Sequence, residues 1–298
     1  MPARPATLAD RPTHLLQQAV RMVFRHLPKA LAGDQEAVHD MRVSTRRLRV
    51  ALPVLAQDPT GRRARRALGV LRELTRAAGG SRDLDVCVEL FEARWTELQT
   101  RPPELALVRR RLRAARSRSR HHMAEVLMDI EIAGVRRDLR KLLARGVPPM
   151  FTALRRLRDT SATIGNRLLA TLEALGQRYD PEELHRARMV ARRLRYVGEL
   201  AGALRGHQEE DATLFRDLQT RLGHVRDHFV LASWLTRQAT SARVRGQAPL
   251  AREAQAQAAF FRQESHRHHQ RLLEAAPLNM ARRALTALGG RPTDAATA

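Results

Sequence analysis

The sequence predicts an all-α protein made of two related helical bundles. Three observations carry that expectation. Ala, Leu, Arg, Gln and Glu dominate, and all are good helix formers. No segment alternates apolar and polar residues with the β-branched and aromatic content of a strand. Three blocks recur in the same order about half a chain apart.

The elements follow from the breakers. Pro28 and Gly33 close a first helix near 13–27, and Asp58-Pro59 ends a second that runs from about 35 to 57. A third covers about 60–78 and stops at Gly79-Gly80; a fourth begins at Ser81 and ends before Pro102-Pro103. The stretch from about 104 to 145 reads as helix with a possible break near Asp129 or Gly134. Gly146-Val-Pro-Pro149 is the strongest interior stop, and helices resume at about 150–178, 181–204, 207–222, 224–243, 248–275 and 278–288. The expected organisation is a disordered N-terminus over 1–11, a first half over 12–147, a second half over 148–288 and a disordered tail over 289–298.

The recurring blocks define the halves. His39-Asp-Met-Arg42-Val-Ser-Thr-Arg46-Arg47-Leu48-Arg49 matches His185-Arg-Ala-Arg188-Met-Val-Ala-Arg192-Arg193-Leu194-Arg195 at an offset of 146. Gly79, Arg82, Asp83 and Val86 match Gly223, Arg226, Asp227 and Val230 at an offset of 144. Arg120-His121-His122 matches Arg267-His268-His269 at an offset of 147. Four-helix-type halves related by a pseudo-twofold axis are the expectation.

Charge bounds the function. Of 298 residues, 54 are Lys or Arg and 31 are Asp or Glu, a formal net charge of +23. Only Lys29 and Lys141 are lysines. Such a balance is self-repelling on folding and points to a polyanionic partner: nucleic acid, an anionic membrane or a phosphate polymer. Arginine suits phosphate because its planar fork donates two parallel bonds and stays charged. Aromatics are 4% of the chain, which weighs against base stacking as the binding device. No apolar run approaches the ~20 residues of a membrane span, and no secretory signal opens the chain. The single cysteine, Cys87, excludes an internal disulfide and Cys-based zinc sites. A reducing, cytoplasmic setting is expected.

The first block shows what the arginines are for. At about 100° per residue, Arg42, Arg46 and Arg49 fall within one stripe beginning at His39, while Met41, Leu48, Leu52 and Leu55 fall on the opposite, core-facing side. His185, Arg188, Arg192 and Arg195 form the matching stripe. A solvated salt-bridged face would interleave acids, yet 41–57 contains none. Arg47 and Arg193 lie off the stripe, on its flank. Two stripes converging on one polyanion is the expected geometry, with His39 and His185 as pH-dependent donors. Arg116, Arg120 and Arg267 extend the basic surface beside His121-His122 and His268-His269. Neighbouring histidines diverge by about 100° on a helix and chelate one ion poorly, so no metal is expected. Asp83 and Asp227 are expected to cap helices that open after Gly79 and Gly223, or alternatively to orient the neighbouring arginines.

The segments VHDMRVSTRRLRVAL and LHRARMVARRLRYVGEL, followed by GGSRDLDV and GHVRDHFV, resemble the CHAD family, the conserved histidine α-helical domain. The resemblance covers about 12–290. It implies two helical bundles around a basic central groove that binds inorganic polyphosphate. Carried over, the contacts would be His39, Arg42, Arg46, Arg49, His185, Arg188, Arg192 and Arg195. Many members are fused to a triphosphate-tunnel β-barrel with alternating Glu and Lys; this sequence has no strand pattern and two lysines, so that catalytic partner is expected to be absent. One departure is that Asp85 of the first block is Phe229 in the second. No cofactor and no catalytic constellation is expected. Polyphosphate is the expected partner, free or in granules, with nucleic-acid binding or a granule-associated scaffold as alternatives.

Overall fold

The computed structural model describes residues 10–206 and 210–288. Every regular element among them is helical: α1 (Arg11–Leu31), α2 (Gln35–Leu55), α3 (Arg62–Ala77), α4 (Gly79–Glu97), α5 (Pro103–Met128), α6 (Ile132–Ala144), α7 (Met150–Leu175), α8 (Pro181–Arg205), α9 (Glu210–Val244), α10 (Ala248–Glu274) and α11 (Pro277–Ala287). The expected tail over 289–298 and residues 1–9 of the expected disordered N-terminus lie outside the described residues. Asp10 and Arg11 already belong to the start of α1.

Most boundaries have local causes. The Asp34 carboxylate accepts the Ala37 N–H at 2.7 Å, and that of Asp180 accepts from Glu182 and Glu183 at 3.0 and 3.1 Å. Each satisfies N–H groups that the first helical turn leaves open. Pro181 follows Asp180 at the helix start, where its missing N–H costs nothing. Gly146, at φ 79°, turns the chain out of α6 in a conformation open to glycine.

Two expectations need correction, and one expected break takes its place. α1 runs through Pro28 to Leu31, the proline giving up the bond that an N–H there would make to the Phe24 carbonyl near the helix end. The stretch 104–145 breaks at the first of its two expected points, into two helices parted at Asp129–Glu131. The helices expected over 207–222 and 224–243 are one, α9, with Gly223 in its interior.

Helix order and packing partners run in parallel along the chain. α1 packs on α2 as α7 does on α8, α4 on α5 as α9 on α10, and α3 on α6 as α9 on α11. α9 thus packs on both α10 and α11, whereas α3 and α4 pack on α6 and α5 separately. Two hydrophobic clusters hold these helices, and each draws on both sides of Gly146. The larger runs from Leu16 to Leu288 and includes Met41, Leu48, Leu52 and Leu55, the stripe expected to face the core. The smaller joins Cys87, Phe91, Leu105 and Leu112 to Leu231, Trp234 and Phe261. Burying a leucine of this kind contributes about 2 kcal/mol. Burial also pushes the Cys87 thiol up to about 12, which leaves it an inert core residue.

Arginine also serves the frame. On α3, Arg66 donates both arms to the buried Asp138 of α6, at 2.5 and 2.8 Å. From α7, Arg156 donates to the Ala56 carbonyl at the end of α2, at 2.7 Å. This second bond fixes α7 beside α2 and so shapes the cleft described next.

Candidate functional site

α2, α3, α7 and α8 enclose a cleft of about 710 Å³. Seven arginines line it: Arg46 and Arg49 from α2, Arg72 from α3, Arg167 from α7, and Arg186, Arg192 and Arg193 from α8. No Asp or Glu is among the described residues of its wall. Arg186, at the rim, pairs with Glu183 on its own helix; the other six have no carboxylate partner among the described residues. Val50, Leu68, Ile164 and Val190 supply an apolar floor.

Electrostatics here are unfavourable in the free protein. Burial and the nearby Arg46 and Arg188 push Arg192 down to about 9. Arg46 is lowered by burial, with Arg188 and Arg195 adding to the effect and Tyr196 offsetting it. Burial likewise lowers Arg49, with Arg72 and Arg193 contributing, and lowers Arg193 beside Arg167. Each shift reports a cation held short of solvent and near other cations. An anion carrying several charges would relieve all of them together.

The two stripes do not enter this cleft as units. Arg42 is buried, and its guanidinium donates to the Ala78 carbonyl and to that of Gly79 at 3.3 Å. It closes the α3–α4 junction, and burial pushes it down to about 10. Arg188 pairs with Asp227 at 3.2 Å and lies across α9 at Gly223, where a Cβ would meet its Nη2 at 3.1 Å. Gly223 is therefore room for a guanidinium inside a helix, and it does not end that helix. Arg195 leaves the cleft and faces Glu199 at 3.8 Å. Arg193, expected on the flank, lines the cleft, whereas Arg47 pairs with Glu199 at 2.8 Å.

The aspartates follow from the same geometry. Asp227 sits mid-helix and holds Arg188, so it caps nothing. Asp83 lies in α4 beside Arg42, and no side chain caps that helix. Orienting the neighbouring arginines is the reading the geometry supports. Burial raises Asp227, and the nearby Asp83 adds to this against the opposing pull of Arg188.

His39 is exposed, and His185 is half-buried with no partner for Nδ1. Both border the arginine cluster without lining the cleft. Burial lowers each below its ordinary value, with Arg82 the next cause for His39 and Arg226 for His185. Arg116, Arg120 and Arg267 lie away from the cleft on α5 and α10. Arg120 reaches Asp85 at 2.5 Å; its counterpart Arg267, facing no acid at Phe229, pairs with Glu264 on its own helix. His268 stacks near His224 and His228, with centroids 5.1 and 4.5 Å away, and burial with those two rings pushes it down to about 4. Among the described residues no group of His, Cys, Asp or Glu is placed to hold a metal ion. No helix among them is long and apolar enough to cross a membrane.

Arg72 and Arg167 were not legible in the sequence. They belong to no repeated block, and only packing brings α3 and α7 beside α2 and α8.

Comparison with known proteins agrees with this architecture. The chain is 26% identical over 268 residues to uncharacterized proteins of two Mycobacterium tuberculosis strains, and the match covers 83% of this chain and 49% of each relative. The chain thus spans about half the length of those relatives. The fold resembles the crystal structure of the CHAD domain from the plant Ricinus communis, with a TM-score of 0.61, 23% identity, and 95% and 92% of the two chains covered. It also resembles PptA from Streptomyces chartreusis, with a TM-score of 0.64, 18% identity, and 89% and 98% covered. The family model for the CHAD domain matches residues 14–236, which takes in both His/Arg blocks, and the chain belongs to the CHAD domain family.

Proposed function

We propose that the chain binds inorganic polyphosphate in the arginine cleft and catalyses no reaction on it. The observation that carries this reading is the lining itself: seven guanidiniums and no carboxylate around about 710 Å³. A chain of linked phosphates presents closely spaced oxyanions, each able to take a bidentate, charge-assisted bond. Arg46, Arg49, Arg192 and Arg193 are the central contacts, with Arg72, Arg167 and Arg186 around them. Arg42 and Arg188 shape the cleft from behind, and His39 and His185 add pH-dependent charge at its margin. The general link between the CHAD family and polyphosphate supports the choice of ligand.

Nucleic acid fits less well. Tyr196 is the single aromatic residue among the described residues of the wall, and at 4% exposure it offers no face for a base. Among the described residues of the cleft wall there is no nucleophile–base pair and no pair of carboxylates, which supports a binding role. A cytoplasmic protein of this kind would be held on polyphosphate granules by the same contacts.

The test is isothermal titration with long-chain polyphosphate at about 150 mM salt, a screening length near 8 Å, beside duplex DNA of matched charge. Saturable polyphosphate binding with weak DNA binding is expected. DNA binding of equal or greater strength would overturn the reading.

A further inference from the structure

A second cavity, of about 540 Å³, lies on the other flank of the seam between α2 and α8. Tyr196 belongs to the walls of both. The offset of 146 that relates the two His/Arg blocks also relates these flanks. It carries Arg49 to Arg195, Arg47 to Arg193 and Pro53 to Glu199. Arg49, Arg193 and Pro53 line the arginine cleft, whereas Arg47 and Glu199 line the second cavity. There the Glu199 carboxylate, 15% exposed, accepts from Arg47 at 2.8 Å and faces the Nε of Arg195 at 3.8 Å. The rest of that wall, with Leu15, Ala19 and Met22 from α1, is largely apolar.

We infer that Glu199 makes the anion track one-sided, so that the protein takes a polyphosphate terminus or a short oligophosphate and does not pass a long chain across both flanks of the seam. The inference rests on the proposed polyphosphate reading and specifies which form of the polymer the cleft accepts. A phosphate entering the arginine cleft meets six cations with no carboxylate partner among the described residues. A phosphate advancing past Tyr196 meets Arg47 and Arg195 sharing the one partly buried Glu199 carboxylate, so less cationic charge is free there and the carboxylate opposes it. To take Arg47 as a contact it must first break the Arg47–Glu199 pair and leave the largely buried carboxylate with Arg195 alone, at 3.8 Å. One glutamate, standing where the first block has a proline, separates a binding flank from a closed one.

The test is titration of the full chain with tripolyphosphate and with long-chain polyphosphate, using wild type, Glu199→Gln and Pro53→Glu. For wild type, affinity per chain end should change little between the two lengths. Glu199→Gln should tighten long-chain binding about tenfold, equivalent to about 1.4 kcal/mol, and leave tripolyphosphate nearly unchanged. Pro53→Glu sets a carboxylate at the matching point of the arginine cleft and should weaken both ligands about tenfold or more. A long-to-short affinity ratio that Glu199→Gln does not alter would overturn the inference while leaving polyphosphate binding in place. Unimpaired binding by Pro53→Glu would do the same, and it keeps the test decisive if Glu199→Gln does not fold. Wild-type protein that binds neither length overturns the functional reading, and the inference with it.

Discussion

The two cavities beside the α2–α8 seam use matching positions of the two His/Arg blocks, yet one is strongly cationic and the other is neutralised. Among the described residues, the wall of the arginine cleft holds seven arginines and no acid, and that of the second cavity holds one arginine, Arg47, against Glu199. The two blocks share their His, Arg and Leu pattern and differ at most other positions. Two differences set the charge of the flanks: Glu199 stands where the first block has Pro53, and the neighbouring helices bring different side chains. α7 contributes Arg167 to the cleft, while α1 contributes Leu15, Ala19 and Met22 to its counterpart. Counting arginines would therefore not locate the site. Position relative to carboxylates does.

The largest expected effect comes from the centre of the cleft. Reversing Arg46 and Arg192 together to Glu should weaken polyphosphate binding at least about 100-fold, since each lost charge-assisted bond is worth about 1.5–3 kcal/mol. Reversing Arg116 and Arg267 together changes net charge equally, far from the cleft, and should cost less than about tenfold through long-range attraction alone. Equal losses, read by titration, would break the comparison by assigning binding to bulk charge.

A second comparison separates frame from site. Arg42→Met removes bonds to the Ala78 and Gly79 carbonyls and should cost about 1–3 kcal/mol in urea unfolding. Arg49→Met removes a cation that only repels its neighbours in the free protein, so stability should hold or rise while polyphosphate affinity falls about tenfold.

The smallest effect is the pH dependence. Burial and the neighbouring arginines hold His185 below its ordinary value of 6.5, so the ring is neutral at pH 7 in the free protein. A bound polyanion offsets that repulsion and favours the imidazolium, so binding takes up protons. Affinity should rise a few-fold as pH falls from about 7 toward and below 6.5, and His185→Gln should flatten that rise. A rise that persists unchanged in His185→Gln would move the proton to another group.

Much of this was legible in the sequence. The buried stripe of Met41, Leu48, Leu52 and Leu55 follows from helical spacing, and all four are core residues. The absence of acids from 41–57 singled out Arg46 and Arg49, which do line the cleft. The interior of α9 was misread because glycine in a helix costs about 1 kcal/mol and so reads as a stop; Gly223 is there because Arg188 crosses the helix at that point. Arg42 and Arg188 share the stripe with Arg46 and Arg192, yet each is spent on a nearby helix, one on carbonyls and one on Asp227. A stripe gives direction around one helix. It does not show which neighbouring helix waits at each level, and Arg72, Arg167 and Arg193 depend on that.

The most direct measurement compares Arg193→Gln with Arg47→Gln by polyphosphate titration at fixed pH and salt. The two residues are block equivalents, and each substitution removes one charge. If the acid-free cleft is the binding site, Arg193→Gln weakens affinity about tenfold and Arg47→Gln changes it less than about twofold. Equal losses from the two substitutions would contradict it.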